Sequence, residues 1–305
     1  MDEILQTLLE KVADLHGVPE GAYNIRANGQ MAGRNTTANI DIVTREDGKG
    51  IDVHIKPGTK KESVHIPVIL SQTGLNETVC NDFVVGDDAD VTIIAGCGIH
   101  NGGDMESRHD GIHRFFVGKN AKLKYVEKHY GDGDGKGERV MNPRTEITMD
   151  EGSYMEMESV QIKGVDSTVR VTRATLGPDA TLIIHEKVMT HGKQHAKSDF
   201  TVDLNGAGSH TNVISRSVAR DQSKQVFLAR INGNARCYGH SECDAIIMDQ
   251  GVVSAIPEVT ANCLDAQLVH EAAIGKIAGD QLLKLETLGL SPEEAEETIL
   301  KGFLA

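Results

Sequence analysis

Between residues 237 and 271 the chain gathers thiol, imidazole and carboxylate groups at short spacing. The run is Cys237-Tyr-Gly-His240-Ser-Glu-Cys243-Asp244, then a Pro257-Glu258 corner, then Gln267-Leu-Val-His270-Glu271. These are the commonest protein ligands for iron and zinc. The cysteine spacing is not the Cys-x-x-Cys of a structural zinc knuckle. On a strand, the even offset lets Cys237 and Cys243 share a face while His240 falls on the other. Two plainer readings stand beside a metal or reactive-thiol site. Cys243 can be a buried small hydrophobe, and His270-Glu271 can be a capping pair at the mouth of a helix.

Other candidates are weaker. Asp132-Gly-Asp134-Gly-Lys136-Gly137 opens like a calcium loop, but Pro143 stands where a bidentate Glu belongs. Gly135-Lys136-Gly137 lacks the upstream Gly and the Ser or Thr of a phosphate loop. His185, His191 and His195 surround a turn and read as solvated histidines, as do His109 and His113.

The chain has 305 residues and a formal charge of −14, which argues against nucleic acid or an anionic membrane as partner. No apolar run is long enough to span a bilayer, and the acidic start, Met1-Asp-Glu-Ile, is no signal peptide. Five cysteines suggest free thiols in a reducing cytoplasm rather than a disulfide framework. Aromatics are 4% and tryptophan is absent, which disfavours recognition by ring stacking.

The elements that must position these groups are mostly strands. Residues 1–16 carry Ile4, Leu5, Leu8, Leu9, Val12 and Leu15 at helical spacing. From Ile51 onward short β-branched runs alternate with turn residues, and no amphipathic helix interrupts them until about 266. A turn signature recurs with its second position at 86, 118, 150, 177, 205 and 232, at intervals of 32, 32, 27, 28 and 27 residues. A closed sandwich has no reason to repeat one corner at near-constant spacing, whereas a solenoid does. The expectation is an all-β chain folded as a β-helix, with a jelly roll as the alternative. It divides into an N-terminal helix with lead-in strands (1–50), a β-helix core (51–262) and a C-terminal helical region (263–305). Gly96–Gly103, running on to His109 and His113, and Gly131–Gly137 read as two glycine-rich loops breaking the coils. Ser291-Pro292-Glu293-Glu294 is a capping box with proline at the first helical position.

Several stretches together resemble the SufB/SufD family of iron–sulfur cluster assembly proteins. They are Cys243-Asp244, Ile256-Pro-Glu258, Ala266-Gln-Leu-Val-His270-Glu271-Ala, Gly275-Lys-Ile277, Asp280-Gln-Leu282, Gly289-Leu-Ser291 and Gly302-Phe303. Upstream, Val53–Gly58, Val84–Val91 and Ala95-Gly96-Cys97 have counterparts, so the resemblance covers about 50–305. It implies a right-handed parallel β-helix whose C-terminal helices dock a SufC-type ABC ATPase. It also implies pairing with a second SufB- or SufD-type subunit, here expected to be a homodimer, and receipt of sulfur from a donor protein. On it, Cys243 and Glu271, with His270 beside them, match proposed ligands of a transient iron–sulfur cluster, and Cys97 matches a sulfur acceptor. The chain departs from the family in being short, in lacking tryptophan, and in carrying Lys284 and Leu288 where Tyr and Arg are common. The implied role is a scaffold rather than an enzyme. The alternatives are a SufD-like structural partner without its own cluster, or a metal-dependent enzyme on a β-helix or jelly roll. Flavin binding is left open by these residues.

Overall fold

The computed structural model describes residues 3–17 and 19–304; Met1 and Asp2 of the expected N-terminal helix lie outside them. Helix α1 (Glu3–Ala13) leads into strands β1 (Ala22–Ala27), β2 (Gln30–Asn35), β3 (Ile40–Thr44) and β4 (Gly50–Ile55). Next come β5 (Lys60–Leu70), β6 (Asn76–Val85), β7 (Asp90–His100), β8 (Ser107–Val117) and β9 (Lys122–Asp132). The short β10 (Arg139–Met141) and β11 (Arg144–Met149) precede β12 (Tyr154–Lys163), β13 (Ser167–Leu176), β14 (Thr181–Thr190) and β15 (His195–Leu204). The last turns are β16 (His210–Ala219), β17 (Lys224–Gly233), β18 (Tyr238–Ile247), β19 (Val252–Ala261) and β20 (Gln267–Gly275). Helices α2 (Gly279–Thr287) and α3 (Pro292–Phe303) end the chain.

From β4 onward successive strands alternate between two ten-stranded sheets and pair in parallel with the strand two elements earlier, with β10 and β11 together filling one rung. This is a parallel β-helix of about 8 turns. At 86, 118, 150 and 177 the recurring signature opens the corner that carries the chain from one sheet to the other; at 205 the corner starts one residue later, and 232 still lies in β17. Each β-turn closes by a backbone bond such as Ala89 N–H to Gly86 O, Ala121 N–H to Gly118 O, or Ala180 N–H to Gly177 O. Its third residue is left-handed, at Asp88, Asn120, Gly152, Asp179 and Gly208, which Asp, Asn and Gly tolerate best. The fourth, Ala89, Ala121, Ser153, Ala180 or Ser209, is fully buried, so it must be small. Corners stack so closely that a Cβ on Gly206 would stand 2.0 Å from a backbone atom of Gly177.

Alternate residues point into the solenoid, giving strict alternation of buried and half-buried positions along β8, β14 and β15. The interior holds aliphatic side chains and an aromatic stack, with Phe83 and Phe115 ring centroids 4.7 Å apart. At the N-terminal end β1–β2 and β3–β4 turn antiparallel and close the bore. Helix α1 lays Leu8, Leu9 and Val12 on the outer face of the sheet, over Gly96 and Gly98. Those glycines admit it, since a Cβ on Gly96 would lie 2.4 Å from the Val12 carbonyl oxygen.

Two expectations are corrected. Residues 96–100 belong to β7, leaving residues 101–106 as the loop, because glycine there serves helix packing rather than a turn. Residues 267–275 form β20 instead of a helix. Their alternation (Leu268, His270, Ala272 inward; Val269, Glu271, Ala273 outward) has period two, and they complete the last turn beside β18. The two helices that do follow pack differently. Helix α3, with its capping box formed, buries Ala295 and Leu300 and is tied to the corner after β16 by Arg220–Glu296 at 2.9 Å. Helix α2 buries nothing and leaves Leu283 exposed, as is Leu288 just beyond it. Among the described residues no helix is long and apolar enough to cross a membrane.

Candidate functional site

The inward side chains of β7 and β9 place Cys97 directly beside His129. Both face a cavity of about 20 Å³, room for one water, lined also by His109, His113 and Glu127. His109 and His113 are therefore buried inward residues of β8, against the expectation of solvated loop histidines. Their odd positions share the inward parity of Phe115, and loop composition nearby obscured that register.

The sequence reading missed the charged groups behind them. Glu127, Arg170 and Glu186 are each almost wholly buried inside the solenoid. Arg170 pairs with Glu127 and stands 3.5 Å from Glu186. Tyr125 donates to Glu127 at 3.0 Å and contacts His113 Nδ1 at 2.7 Å, while Ser215 donates to Glu186 at 2.8 Å. Burial pushes the Glu127 carboxyl up, but Arg170, His129 and His113 outweigh it and hold it well below the usual range. A charge triad of this kind persists inside a protein only when each member is paired. The available signal was parity, since both glutamates fall on inward positions of alternating strands.

Register turns these residues into a column. Along one sheet the inward positions Glu127, Ser159, Glu186, Ser215 and Cys243 are direct neighbours on successive strands. Cys97 lies in the adjacent column, between Val68 and His129, with Gln161 next. The two thiols are five strand steps apart, about 24 Å at ordinary strand spacing. His109 Nδ1, Thr145 Oγ1 and Thr172 Oγ1 are buried in this interior without a hydrogen-bond partner.

Cys243 is fully buried on β18, and burial, then Glu186 and Asp244, push its thiol up to about 12. Cys97 is also pushed well up, by burial first and then by Glu77 and Glu127. At rest both thiols are protonated, so neither is a ready nucleophile. A metal ion that reached Cys243 would displace its proton. His270, on β20, also points inward, and its Nδ1 lies 2.7 Å from Ser241 Oγ. Burial lowers its basicity, which keeps the imidazole a neutral potential ligand.

Glu271 is placed otherwise. It pairs in register with Glu242 and points outward, on the opposite face of the sheet from Cys243 and His270. There His240 Nε2 is 3.8 Å from Glu271 Oε2, and the ligand atoms of His240, Glu242 and Glu271 all lie within 4.8 Å of one another. Burial, then Asp244, raises the Glu242 carboxyl. One chain thus turns Cys243 and His270 inward and, separately, gathers Glu271 with His240 and Glu242 outside. The separation of Cys243 from His240 agrees with the parity expected on a strand.

Fold and site together define a β-solenoid protein that presents a sulfur donor inside and nitrogen and oxygen donors outside the same two strands. The chain belongs to the SufBD family: residues 73–303 match the family described as SUF system FeS cluster assembly, SufBD core domain. Relatives include an iron–sulfur cluster assembly SufBD family protein of Archaeoglobus fulgidus, 31% identical over 264 residues, covering 85% of this chain and 69% of that one. A SufBD family protein of Methanocaldococcus jannaschii is 29% identical over 263 residues, covering 85% and 82%.

Proposed function

We propose that this protein is a cytoplasmic scaffold, not an enzyme, on which an iron–sulfur cluster is built as cargo before release. The observation that carries this reading is the last turn. Cys243, one strand in, and His270, on the terminal strand β20, face inward at an end of the solenoid that no element covers among the described residues. Strands β19 and β20 have unpaired edges, and the inward Val259 and Ile274 are 47% and 40% exposed. Exposed apolar edge strands of this length are templates for pairing, which supports a homodimer with the cargo site at the junction. Cys243, His270 and Glu271 are the proposed ligands. Within one chain Glu271 faces away from Cys243, so the reading requires the ion to sit at the rim of β20 or to take Glu271 from a second subunit.

Cys97 is the proposed entry point for sulfur from a donor protein. The polar interior column between the two thiols supports delivery inside the solenoid. The apolar residues left exposed along and just after α2 support docking of a separate SufC-type ATPase.

The test is anaerobic reconstitution of wild type, Cys243→Ala and Glu271→Ala with ferrous iron, sulfide and the cognate ATPase, read by ultraviolet–visible and Mössbauer spectra. The expected result is cluster in wild type and loss of at least nine-tenths of it in Cys243→Ala. Wild-type cluster that persists in both variants would remove the ligand assignment.

A further inference from the structure

We infer that His240, Glu242 and Glu271 form a second metal site, a thiolate-free site for a divalent first-row ion on the outer face of the last two strands of one sheet. Metal binding there stands on geometry alone; its role, loading ferrous iron for assembly, rests on the function proposed above.

The three side chains come from two adjacent strands in register: His240 and Glu242 alternate on β18, and Glu271 is the direct neighbour of Glu242 on β20. All three therefore leave the same face. Their ligand atoms lie within 4.8 Å of one another. Donors bound at about 2.1 Å around one ion stand about 3.0–3.4 Å apart, so the widest separation needs to contract by about 1.4–1.8 Å. Glu271 can supply that movement, because its side chain is 67% exposed while that of His240 is held at 15%.

The imidazole is also prepared from behind. Asn212 Oδ1, on β16, accepts from His240 Nδ1 at 2.9 Å. The proton is thereby fixed on Nδ1, and the Nε2 lone pair is directed towards Glu271. Protein ligands to metals typically have such a partner orienting the distal ring nitrogen. Asn212 is not itself a member of the donor set, so this is independent of the clustering. The other charges acting on Glu242 are Asp244, beside it, and Arg216, in register with Asp244, while His210 acts on His240. One imidazole and two carboxylates without sulfur suit ferrous iron, manganese or zinc and leave coordination positions open.

The position gives the site its use. Outer ion and inner Cys243 are separated by the sheet, and β20 is the sheet's final strand. An ion bound outside can meet the thiol around that single edge, with Glu271 as the carboxylate able to swing.

The experiment is anaerobic titration of the full chain with Co²⁺ alone, followed by visible absorption. It is run on wild type, His240→Ala, Glu242→Gln and Cys243→Ala, with circular dichroism melts as the folding control. The expected result is one Co²⁺ per chain with ligand-field bands and no thiolate charge-transfer band. Affinity should fall at least tenfold in His240→Ala and Glu242→Gln, while Cys243→Ala serves only to assign any thiolate band. A thiolate band that disappears in Cys243→Ala would place the ion inside and overturn the proposal, as would no wild-type binding at millimolar Co²⁺. The loading role is read separately, as the rate of cluster formation at limiting Fe²⁺. His240→Ala should slow it at least fivefold, and an unchanged rate alongside lost Co²⁺ binding would overturn the role while leaving the scaffold reading intact.

Discussion

The two ends of the solenoid are built on opposite principles. At the N-terminal end the edge strand β3 buries Ile40 and Ile42 to 0% and 4% exposure, because the sheets close over them and the edges are short antiparallel hairpins. At the other end, equivalent inward residues Val259 and Ile274 remain 47% and 40% exposed on strands of ten and nine residues. The first end is finished by its own chain. The second is left open by the described residues, and the chemistry of Cys243, His270 and Glu271 lies there.

The comparison breaks first in the sealed part. Arg170→Ala would strand Glu127 and Glu186 inside the solenoid, at a cost of about 3–5 kcal/mol, visible as a lower urea midpoint. If the midpoint hardly moves, the interior is wetter than a sealed bore. Next comes a matched pair of truncations. Leu8→Ala, on the buried face of α1 at the sealed end, should cost about 2–5 kcal/mol. Val259→Ala should change the stability of the monomer by no more than about 0.5 kcal/mol and instead lower the mass measured by light scattering at high concentration towards one chain. Equal destabilisation by both would erase the difference between the ends.

The smallest effect is in pH. His109 is held neutral down to about 3, by burial first and then by His113, His129 and Arg26, against the pull of Glu127. An unfolded histidine titrates near about 6.5. Below that pH the unfolded chain takes up a proton that the folded chain refuses, so stability falls as pH drops from about 6.5 towards 3. Linkage gives roughly 2 kcal/mol lost at about pH 5. Thermal melts between about pH 7 and 5 should show a shallower slope in His109→Asn.

Much of the fold was legible in the sequence because a solenoid repeats its corner. Gly86, Gly118 and Gly177 announce turns that small buried residues such as Ala89 and Ala180 complete. The facing of Cys243 against His240 was legible too, since strand parity is local. What failed was local composition standing in for register. Glycines at 96 and 98 look like loop residues until a helix from eighty positions earlier is seen to rest on them. Gln267–Ala273 looks helical beside a helical tail, although its inward column is fixed by β18. Glu127, Arg170 and Glu186 could not be recognised as partners, because three different strands bring them together.

The stacked corners have one more consequence. Because each rung repeats the same inward and outward assignment, the distance from Cys97 to Cys243 is counted rather than continuous. Inserting or deleting one whole coil would keep both faces in phase and change the separation by about 4.8 Å. A single-residue insertion within a strand would turn the thiol to the outside. The solenoid is a ruler marked in rungs, and these two cysteines stand five marks apart.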